Sequence, residues 1–298
     1  MDLTVIICTR DRAASLSRTL SSLAAAEPPG SRWELLVVDN GSRDATAEVI
    51  AGFADRLPIR RVWQPTPGLS NARNAGVGAS SGRHILWTDD DVVVHREWLS
   101  AYMSAFSAHP AAALFGGPTR PVFEEPVQTW FRDEALRLES LLAIRDFGAA
   151  EAALTPDRIP YGLNYAVRGD VQRRLPYDAS LGVAPGRRTG GEEVEVMKVI
   201  FSEGGSGVWV PTAWVDHMIP AARQTEAYII SYYSAEAELK PQPLRAWEST
   251  RWTSSIGGGL RWLRYKAARK LGLKGWMGAL LQYARFQGSR AVHLRSVR

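Results

Sequence analysis

The first 117 residues alternate short apolar runs with segments of helical periodicity. Five runs are nearly continuous in apolar residues, as in strands covered on both faces, and they are Leu3 to Cys8, Glu34 to Val38, Ile59 to Trp63, Arg83 to Thr88 and Ala112 to Phe115. Segments with a helical pattern separate them, and these are Ala13 to Ala25, Ala45 to Ala54, Ser70 to Ala79 and Arg96 to His109. The alternation predicts successive βα units around a mostly parallel sheet flanked by helices.

Beyond Gly117 the pattern loosens. The elements predicted there are a helix from Trp130 to Ile144, a turn at Tyr161 to Asn164, a helix from about Gly191 to Ser202 and a short strand from Val208 to Pro211. From Thr225 onward only helices are predicted, with a break at Pro241 and Pro243. The sequence therefore predicts an α/β domain over residues 1–222 and a helical C-terminal region over residues 223–298.

Length and composition are compatible with that division. A chain of 298 residues can form one large domain with an appendage, and 45% hydrophobic and 22% charged residues are typical of globular proteins. The single cysteine, Cys8, excludes an internal disulfide framework and favours the cytoplasm. We find no signal-peptide pattern and no apolar run of the roughly 18 residues that a membrane span needs, so neither secretion nor integral insertion is expected.

The formal charge of +5 is unevenly distributed, because residues 250–298 contain eight Arg and three Lys but no Asp or Glu. Aromatic residues are interleaved with these cations, and they are Trp252, Trp262, Tyr265, Trp276, Tyr283 and Phe286. Two interpretations remain open. The helices could bind an anionic membrane surface, or their aromatic residues could form a packed core beneath a solvated charged face.

Three predicted strands end in polar residues, and ligands of such sheets bind beyond the carboxyl ends of the strands. The three segments are Thr9-Arg10-Asp11, Asp39-Asn40-Gly41-Ser42 and Asp89-Asp90-Asp91. Consecutive carboxylates repel one another unless a cation compensates them, which indicates a metal site, although a solvated acidic turn or a helix cap is the alternative. His217 could be a further ligand for a Mn²⁺-like ion or a structural histidine. Asp39 could accept hydrogen bonds from a nucleoside or cap the next helix.

Two further segments suit a reaction on a phosphorylated donor. Gly68 to Gly76 places Arg73 and Asn74 near a helix N-terminus, which suits a diphosphate, although a close-packed helix with a solvent-facing arginine is the alternative. Glu192 and Glu193 open a predicted helix, where one could be a cap and the other a general base. Adjacent helical residues point in different directions, so at most one of the two acids faces a reacting centre.

Taken together, these segments resemble the family 2 glycosyltransferases of the GT-A fold. The matching segments are Val5 to Arg10, Val37 to Ser42, Gly68 to Gly76, Thr88 to Asp91, Gly191 to Glu193 and Asp216-His217, and they cover about the first 220 residues. The resemblance implies a nucleotide-sugar-binding part over residues 1–117, an acceptor and catalytic part over residues 118–222, and a helical, basic and aromatic appendage beyond.

The resemblance also implies roles for individual residues. Those expected near the donor are Thr9, Arg10, Asp39, Asn40, Ser42, Arg73, Asn74, Asp89, Asp90 and Asn164. Asp91 is the preferred ligand for Mn²⁺ or Mg²⁺, with His217 and Asp89 as further ligands. Glu193 is the expected base; because it stands where the family commonly has Asp, Glu192 remains the alternative.

The implied function is inverting transfer of a sugar from a nucleotide diphosphate donor to a hydroxyl of a saccharide or lipid-linked acceptor. A UDP-sugar is favoured, with GDP- or dTDP-sugars as alternatives. The expected setting is cell-surface polysaccharide or glycolipid synthesis, in the cytoplasm or on the inner face of the membrane.

Other functions are less well supported by the sequence. A nucleotidylyltransferase or a dinucleotide dehydrogenase should have a glycine-rich loop after the first strand, where Cys8 to Arg12 has none. A non-catalytic carbohydrate- or nucleic-acid-binding protein would not need the acidic segments, and nucleic acid is not an expected partner.

Overall fold

The computed structural model describes residues 1–185, 190–245, 248 and 250–296. Its contacts divide the chain into two compact units. The sheet unit comprises Met1–Val122 and Ala143–Met218, and the helical unit comprises Phe123–Leu142 and Ile219–Arg298. A single division at residue 222 does not reproduce these units, because residues 123–142 are grouped with the C-terminal helices.

Eleven strands form two sheets in the described part of the chain. They are β1 (Leu3–Thr9), β2 (Trp33–Asp39), β3 (Ile59–Trp63), β4 (His84–Asp89), β5 (Val92–Val94), β6 (Leu114–Gly116), β7 (Thr119–Phe123), β8 (Ala152–Leu154), β9 (Asn164–Arg168), β10 (Gly207–Trp209) and β11 (Val215–Ile219). The large sheet has the order β3-β2-β1-β4-β9-β6-β10-β8, and the small sheet has the order β5-β11-β7.

The first four strands of the large sheet are parallel, β9 is antiparallel to both β4 and β6, and β10 is parallel to β6. The predicted mixed, mostly parallel sheet is therefore confirmed. Strand β9 begins at the last residue of the predicted turn and was not itself predicted.

Helices cover both faces of this sheet and form most of the helical unit. They are α1 (Ala13–Ala25), α2 (Thr46–Ala51), α3 (Leu69–Ala79), α4 (Trp98–Ala108), α5 (Thr129–Asp133), α6 (Glu139–Leu142), α7 (Gly169–Arg174), α8 (Glu192–Ser202), α9 (Glu226–Leu239), α10 (Arg251–Lys270) and α11 (Trp276–Ser296). The helix predicted from Trp130 to Ile144 is instead divided into α5, a 3₁₀ turn and α6. It ends early because Ala143 adopts a left-handed φ of 52°.

Alternate side chains of β1 enter different hydrophobic cores on the two faces of the sheet. Val5 and Ile7 pack in one core, whereas Ile6 packs in the other. Helix α3 approaches the second face so closely that a Cβ at Gly76 would lie 2.8 Å from Cγ2 of Ile6. Glycine at this position therefore allows α3, and the side chains it carries, to lie directly against the sheet.

The helical unit is held by packing between α9, α10 and α11, together with part-buried ion pairs and aromatic contacts. Arg269 of α10 pairs with Glu226 at 2.9 Å, and the rings of Trp130 and Trp276 meet edge to face at 5.3 Å. The predicted break after α9 is confirmed, since proline cannot continue a helix. Among the described residues, no helix has both the length and the apolar character needed to cross a bilayer.

Candidate active site

The polar segments that follow β1, β2 and β4 meet at one edge of the sheet unit. These strands are adjacent and parallel, with Thr9 opposite Asp39 and Cys8 opposite Asp89. Their carboxyl ends therefore lie side by side, as the sequence predicted. The hydroxyl of Thr9 donates a hydrogen bond to Oδ2 of Asp90 at 2.6 Å, which links the ends of two of these strands.

A buried acidic cluster follows β4, and an arginine from the loop after β1 compensates it. The Arg12 guanidinium lies 2.8 Å from Oδ1 of Asp90 and 2.9 Å from Oδ2 of Asp91. Burial raises the pKa of Asp90 to about 7, although Arg12 opposes that rise. Burial likewise raises the pKa of Asp89. Arg12 was not among the predicted site residues, and its only signal in the sequence is its place in the loop after Thr9.

Asp91 and His217 form the pair best suited to a divalent cation. Strand β11 pairs with β5 so that His217 lies opposite Val92, the residue after Asp91. Nε2 of His217 is 3.6 Å from Oδ2 of Asp91, and both side chains are buried. A carboxylate oxygen and an imidazole nitrogen suit Mn²⁺, and such ions often take their remaining ligands from substrate phosphates and water.

The third predicted ligand, Asp89, is not assembled with this pair. Within the part of the chain that the structure describes, no three His, Cys, Asp or Glu side chains are grouped closely enough to hold one metal ion. Asp89 is nevertheless close enough for its carboxylate to be influenced electrostatically by Asp91, His217 and Glu193. The residues present therefore fit a two-ligand site, which oxygens of a bound diphosphate would complete.

Asp39 is buried and engaged on both carboxylate oxygens. Oδ2 accepts hydrogen bonds from Nε and Nη2 of Arg61 at 3.0 and 2.6 Å, and Oδ1 accepts one from the Ser42 backbone N–H at 2.9 Å. Oγ of Ser42 accepts a bond from the Asp11 backbone at 3.0 Å, which joins the loops after β1 and β2. Arg61, on the edge strand β3, was not predicted. Arg10 lies half-buried in the first of these loops, with Nε 3.5 Å from Asp11.

Two side chains that were predicted to contact the sugar donor, those of Asn40 and Asn74, instead form hydrogen bonds with the protein's own backbone. The Asn40 amide donates to two backbone carbonyls and accepts from a backbone N–H within residues 64–68. The Asn74 amide donates to the backbone carbonyl of Tyr177 and accepts from its N–H, both at 2.8 Å. Both ends of each amide are thus occupied by the protein itself, so we assign Asn40 and Asn74 a structural role rather than contact with a donor.

Asn164 is also corrected by the structure, because its side chain is fully buried rather than lining a pocket. Its amide donates to the carbonyls of Pro118 and Ala213, at 2.9 and 2.8 Å. Its Oδ1 accepts from the Trp98 ring nitrogen and the Tyr102 hydroxyl, both at 2.9 Å. These four bonds use both donors and both acceptor sites of the side-chain amide. Asn164 therefore has a structural role at the start of β9.

The N-terminus of α3 is covered by another part of the chain. The Leu69 N–H donates to the Val183 carbonyl at 2.8 Å, and the Ser70 hydroxyl donates to the Leu181 carbonyl at 2.8 Å. These bonds occupy the backbone N–H of Leu69 and the hydroxyl of Ser70 at the helix N-terminus that the sequence suggested for a diphosphate.

Arg73 of α3 is buried, so the solvent-facing arginine considered as the alternative from sequence is wrong. Its guanidinium lies 5.1 Å from the Trp87 ring centroid, 5.8 Å from that of Tyr165 and 5.5 Å from that of Tyr177. Nη1 donates to the Tyr165 hydroxyl at 2.9 Å, and Nε lies 3.3 Å from Oε1 of Glu192. Arg73 is thus a buried cation beneath the acidic pair at the start of α8.

The two acids at the start of α8 occupy different environments. Glu192 is 2% exposed, and burial raises its pKa to about 7, with repulsion from Glu193 adding to the rise and Arg73 opposing it. Glu193 is half-buried, and a Cβ built at Gly162 would lie 3.0 Å from its Oε1. The glycine therefore allows the Glu193 carboxylate to lie against the backbone, in the more accessible of the two positions.

Sequence comparison relates the chain to known glycosyltransferases. The model of glycosyl transferase family 2 matches residues 4–161. The succinoglycan biosynthesis protein ExoM of Rhizobium meliloti is 28% identical over 228 residues, which cover 75% of this chain and 69% of ExoM. Validoxylamine A glucosyltransferase of Streptomyces hygroscopicus subsp. jinggangensis is 35% identical over 117 residues, which cover 38% of this chain and 28% of that protein.

Solved structures share the fold at low sequence identity. The mannosyltransferase PcManGT from Pyrobaculum calidifontis, in complex with GDP-Man and Mn²⁺, has a TM-score of 0.65 and 17% identity, covering 99% of this chain and 88% of that one. Residues 1–349 of S. aureus TarS, in complex with UDP-GlcNAc, have a TM-score of 0.58 and 16% identity, covering 100% of this chain and 92% of that one. These similarities confirm the predicted GT-A fold.

Proposed function

Because the chain belongs to glycosyl transferase family 2, we propose that it transfers a sugar from a nucleoside diphosphate donor to an acceptor hydroxyl during polysaccharide synthesis. The observation that carries this proposal is the convergence of Asp39, Asp91, His217 and Glu193 at one edge of the sheet unit. The similarity to ExoM supports a role in polysaccharide synthesis. The GDP-Man and UDP-GlcNAc complexes of proteins with the same fold support a nucleotide-sugar donor.

The nucleoside half of the donor would bind beside β1 and β2, with a UDP-sugar as the expected donor. Asp39 supplies carboxylate oxygens that can accept hydrogen bonds from a ribose or base, and Arg61 already holds this side chain in place. Thr9 ends β1 beside Asp39, and Arg10 and Ser42 lie on the loops that follow β1 and β2. Engagement of Asp39 by the donor would require it to share or exchange its contact with Arg61.

Asp91 and His217 would hold Mn²⁺ or Mg²⁺ together with the diphosphate. When bound, the ion supplies positive charge that neutralises the departing diphosphate. The chain keeps both ligands buried and close together, so the two ligand side chains themselves would need little movement to bind the ion. Nη2 of Arg12 lies 2.9 Å from Oδ2 of Asp91, so the guanidinium would have to move for that oxygen to bind the ion.

Glu193 is the proposed general base. As the acceptor oxygen bonds to the anomeric carbon, the bond from that carbon to the diphosphate breaks, and the hydroxyl proton passes to the Glu193 carboxylate. A single displacement of this kind inverts the anomeric configuration. Glu192 is better suited to positioning, because it is buried against Arg73, whereas Glu193 is half-buried beside Gly162.

The acceptor is proposed to be a saccharide or a lipid-linked saccharide, since both present a hydroxyl to a base at this edge. We place the protein in the cytoplasm, peripheral to the inner face of the cell membrane, where a lipid-linked acceptor would be available.

A thermal-shift screen with nucleoside diphosphates, each with and without Mn²⁺ or Mg²⁺, tests the donor half of this proposal. A ligand that binds only the native state at about 100 times its Kd should raise the melting temperature of the sheet unit by roughly 5–10 °C. We expect UDP to do so only with the metal, and expect NAD, as the matched control, to have no effect. If no nucleoside diphosphate stabilises the protein under any metal condition, the proposed function is wrong.

A further inference from the structure

One face of α10, continued by Leu271 directly after the helix, carries a line of large apolar side chains exposed to solvent. This apolar stripe consists of Trp252, Ile256, Leu260, Leu263 and Leu271, which are 74%, 41%, 57%, 57% and 69% exposed. Successive members are three, four or eight residues apart, so on an ideal α-helix they fall within an arc of about 100°. A contiguous apolar patch of this kind on a folded surface marks an interaction site.

The opposite face of α10 already holds the helix in the helical unit. Tyr265 is buried and its hydroxyl donates to Glu226 of α9. Gly258 lies so close to α11 that a Cβ there would be 3.3 Å from the Phe286 ring. The Thr250 hydroxyl also caps the start of the helix by accepting from the Thr253 N–H at 3.1 Å. The fold is thus secured without the apolar stripe.

Basic residues border the stripe on both sides. On an ideal helix Arg264 falls about 40° from Leu260 on one side, while Lys270 and Lys266 fall about 80° and 120° away on the other. All three are exposed, and Lys274 follows the end of the helix. Residues 250–298 contain no Asp or Glu, and the acid that interacts electrostatically with Lys266 is Glu226 of α9.

The charges decide which occupant suits this face. Two copies joined through the stripe would bring their flanking cations together with no acidic residue of the same helix between them, which costs free energy. A bilayer containing acidic lipids offers apolar acyl chains to the stripe and negative headgroups to the cations. The long stems of lysine and arginine let these cations reach the headgroups while the leucines insert more deeply.

We propose that the apolar stripe of α10 is a docking surface for an anionic membrane, with the helix lying in the plane of the interface. Trp252 lies at the N-terminal end of the stripe, and its indole suits the boundary between headgroups and acyl chains. The inference deepens the proposed peripheral placement and rests on that part of the proposed function, but it does not depend on the donor chemistry.

The test is co-sedimentation of the full chain with vesicles of phosphatidylcholine, with and without phosphatidylglycerol. Leu263→Ser should weaken binding to the anionic vesicles roughly tenfold, since burial of a leucine side chain is worth at least that factor. Arg264→Gln should weaken it about fivefold, the factor for one basic residue near such a surface. The matched control is Leu136→Ser, which alters an 83% exposed leucine of the same unit outside the stripe and should change nothing.

The proposal is overturned if Leu263→Ser and Leu136→Ser bind alike, if phosphatidylglycerol has no effect on binding, or if the wild type does not sediment with vesicles. Sedimentation velocity without lipid supplies the other decisive result, because a dimer abolished by Leu263→Ser would identify a second copy as the occupant. The nucleotide-dependent thermal shift is measured on the same variants. An intact shift with absent vesicle binding rejects the membrane surface alone, whereas an absent shift with intact binding rejects the donor assignment alone.

Discussion

Replacing Arg73 with methionine would remove a buried positive charge while keeping most of the length of the side chain. Arg73 is 3% exposed, lies 3.3 Å from Glu192, and stacks among three aromatic rings. Removal of one partner of a buried ion pair costs about 3–5 kcal/mol, since the other charge remains buried and unpaired. We therefore expect Arg73→Met to lower the free energy of unfolding of the sheet unit by up to about that amount at alkaline pH, where the Glu192 carboxylate is ionised, and by less near pH 7.

The cost should depend on pH with a defined sign. Burial already raises the pKa of Glu192 to about 7, and Arg73 is the group that opposes this rise. Without Arg73 the pKa rises further, so Glu192 remains protonated to higher pH in the variant. A raised carboxyl pKa gives stability that is present at low pH and lost as pH rises through the folded-state pKa. The difference between variant and wild type should therefore grow by up to about 1.4 kcal/mol per pH unit above pH 7.

A double-mutant cycle measured by denaturation isolates the pair. Arg73→Met/Glu192→Gln should recover roughly 1–3 kcal/mol of the loss, because the unpaired carboxylate is gone. Arg60→Met is the matched control: it removes an exposed arginine that lies 3.6 Å from Glu34 and should change stability by about 0.5 kcal/mol or less. Additivity of the two single substitutions within about 0.5 kcal/mol, at every pH, would refute the buried pair as the reason for the burial of Arg73.

Three further predictions concern the sheet edge. Asp91→Asn should abolish the Mn²⁺-dependent part of the nucleotide thermal shift, and an unchanged metal response would remove Asp91 from the site. The stabilisation by Mn²⁺ should increase from about pH 6 to about pH 8. Asp90, with a pKa of about 7, loses its proton over that range and adds negative charge beside the ion. A stabilisation that does not change with pH would contradict this reasoning. Gly162→Ala should lower turnover roughly tenfold or more with donor affinity retained, because its Cβ would lie 3.0 Å from Oε1 of Glu193; wild-type turnover would show that the carboxylate need not lie there.

The part of the site that could be predicted is the part set by local pattern. Continuous apolar runs identify β1, β2 and β4, and adjacency of parallel strands then brings Thr9, Asp39 and Asp89 to one edge. The sheet order beyond β4 could not be predicted in the same way. The run Asn164–Arg168 is short and has polar residues at both ends, although its interior is buried between β4 and β6.

The partners of the polar side chains depend on contacts distant in sequence. Arginine is usually solvent-exposed, and nothing within α3 indicates that Tyr165, 92 residues away, and Tyr177 enclose Arg73. The same holds for Asn164, whose side-chain amide donates hydrogen bonds to backbone carbonyls 46 and 49 residues away in sequence. Residue type therefore indicated the candidate site, but tertiary packing determined which of its polar side chains are bonded to the protein's own backbone.

The most direct test of the proposed chemistry is the rate of sugar transfer by Glu193→Gln, measured beside Glu192→Gln and the wild type. The donor is a sugar conjugate of the nucleoside diphosphate that gives the largest thermal shift. Glutamine keeps the size of the side chain but cannot take the acceptor proton, so Glu193→Gln should lose about 10²–10⁴-fold in turnover while donor affinity persists. Glu192→Gln should lose much less, because that carboxylate is buried against Arg73. A Glu193→Gln enzyme that transfers sugar at the wild-type rate would contradict the assignment of Glu193 as the base, and full activity of both variants would contradict base catalysis by this acidic pair.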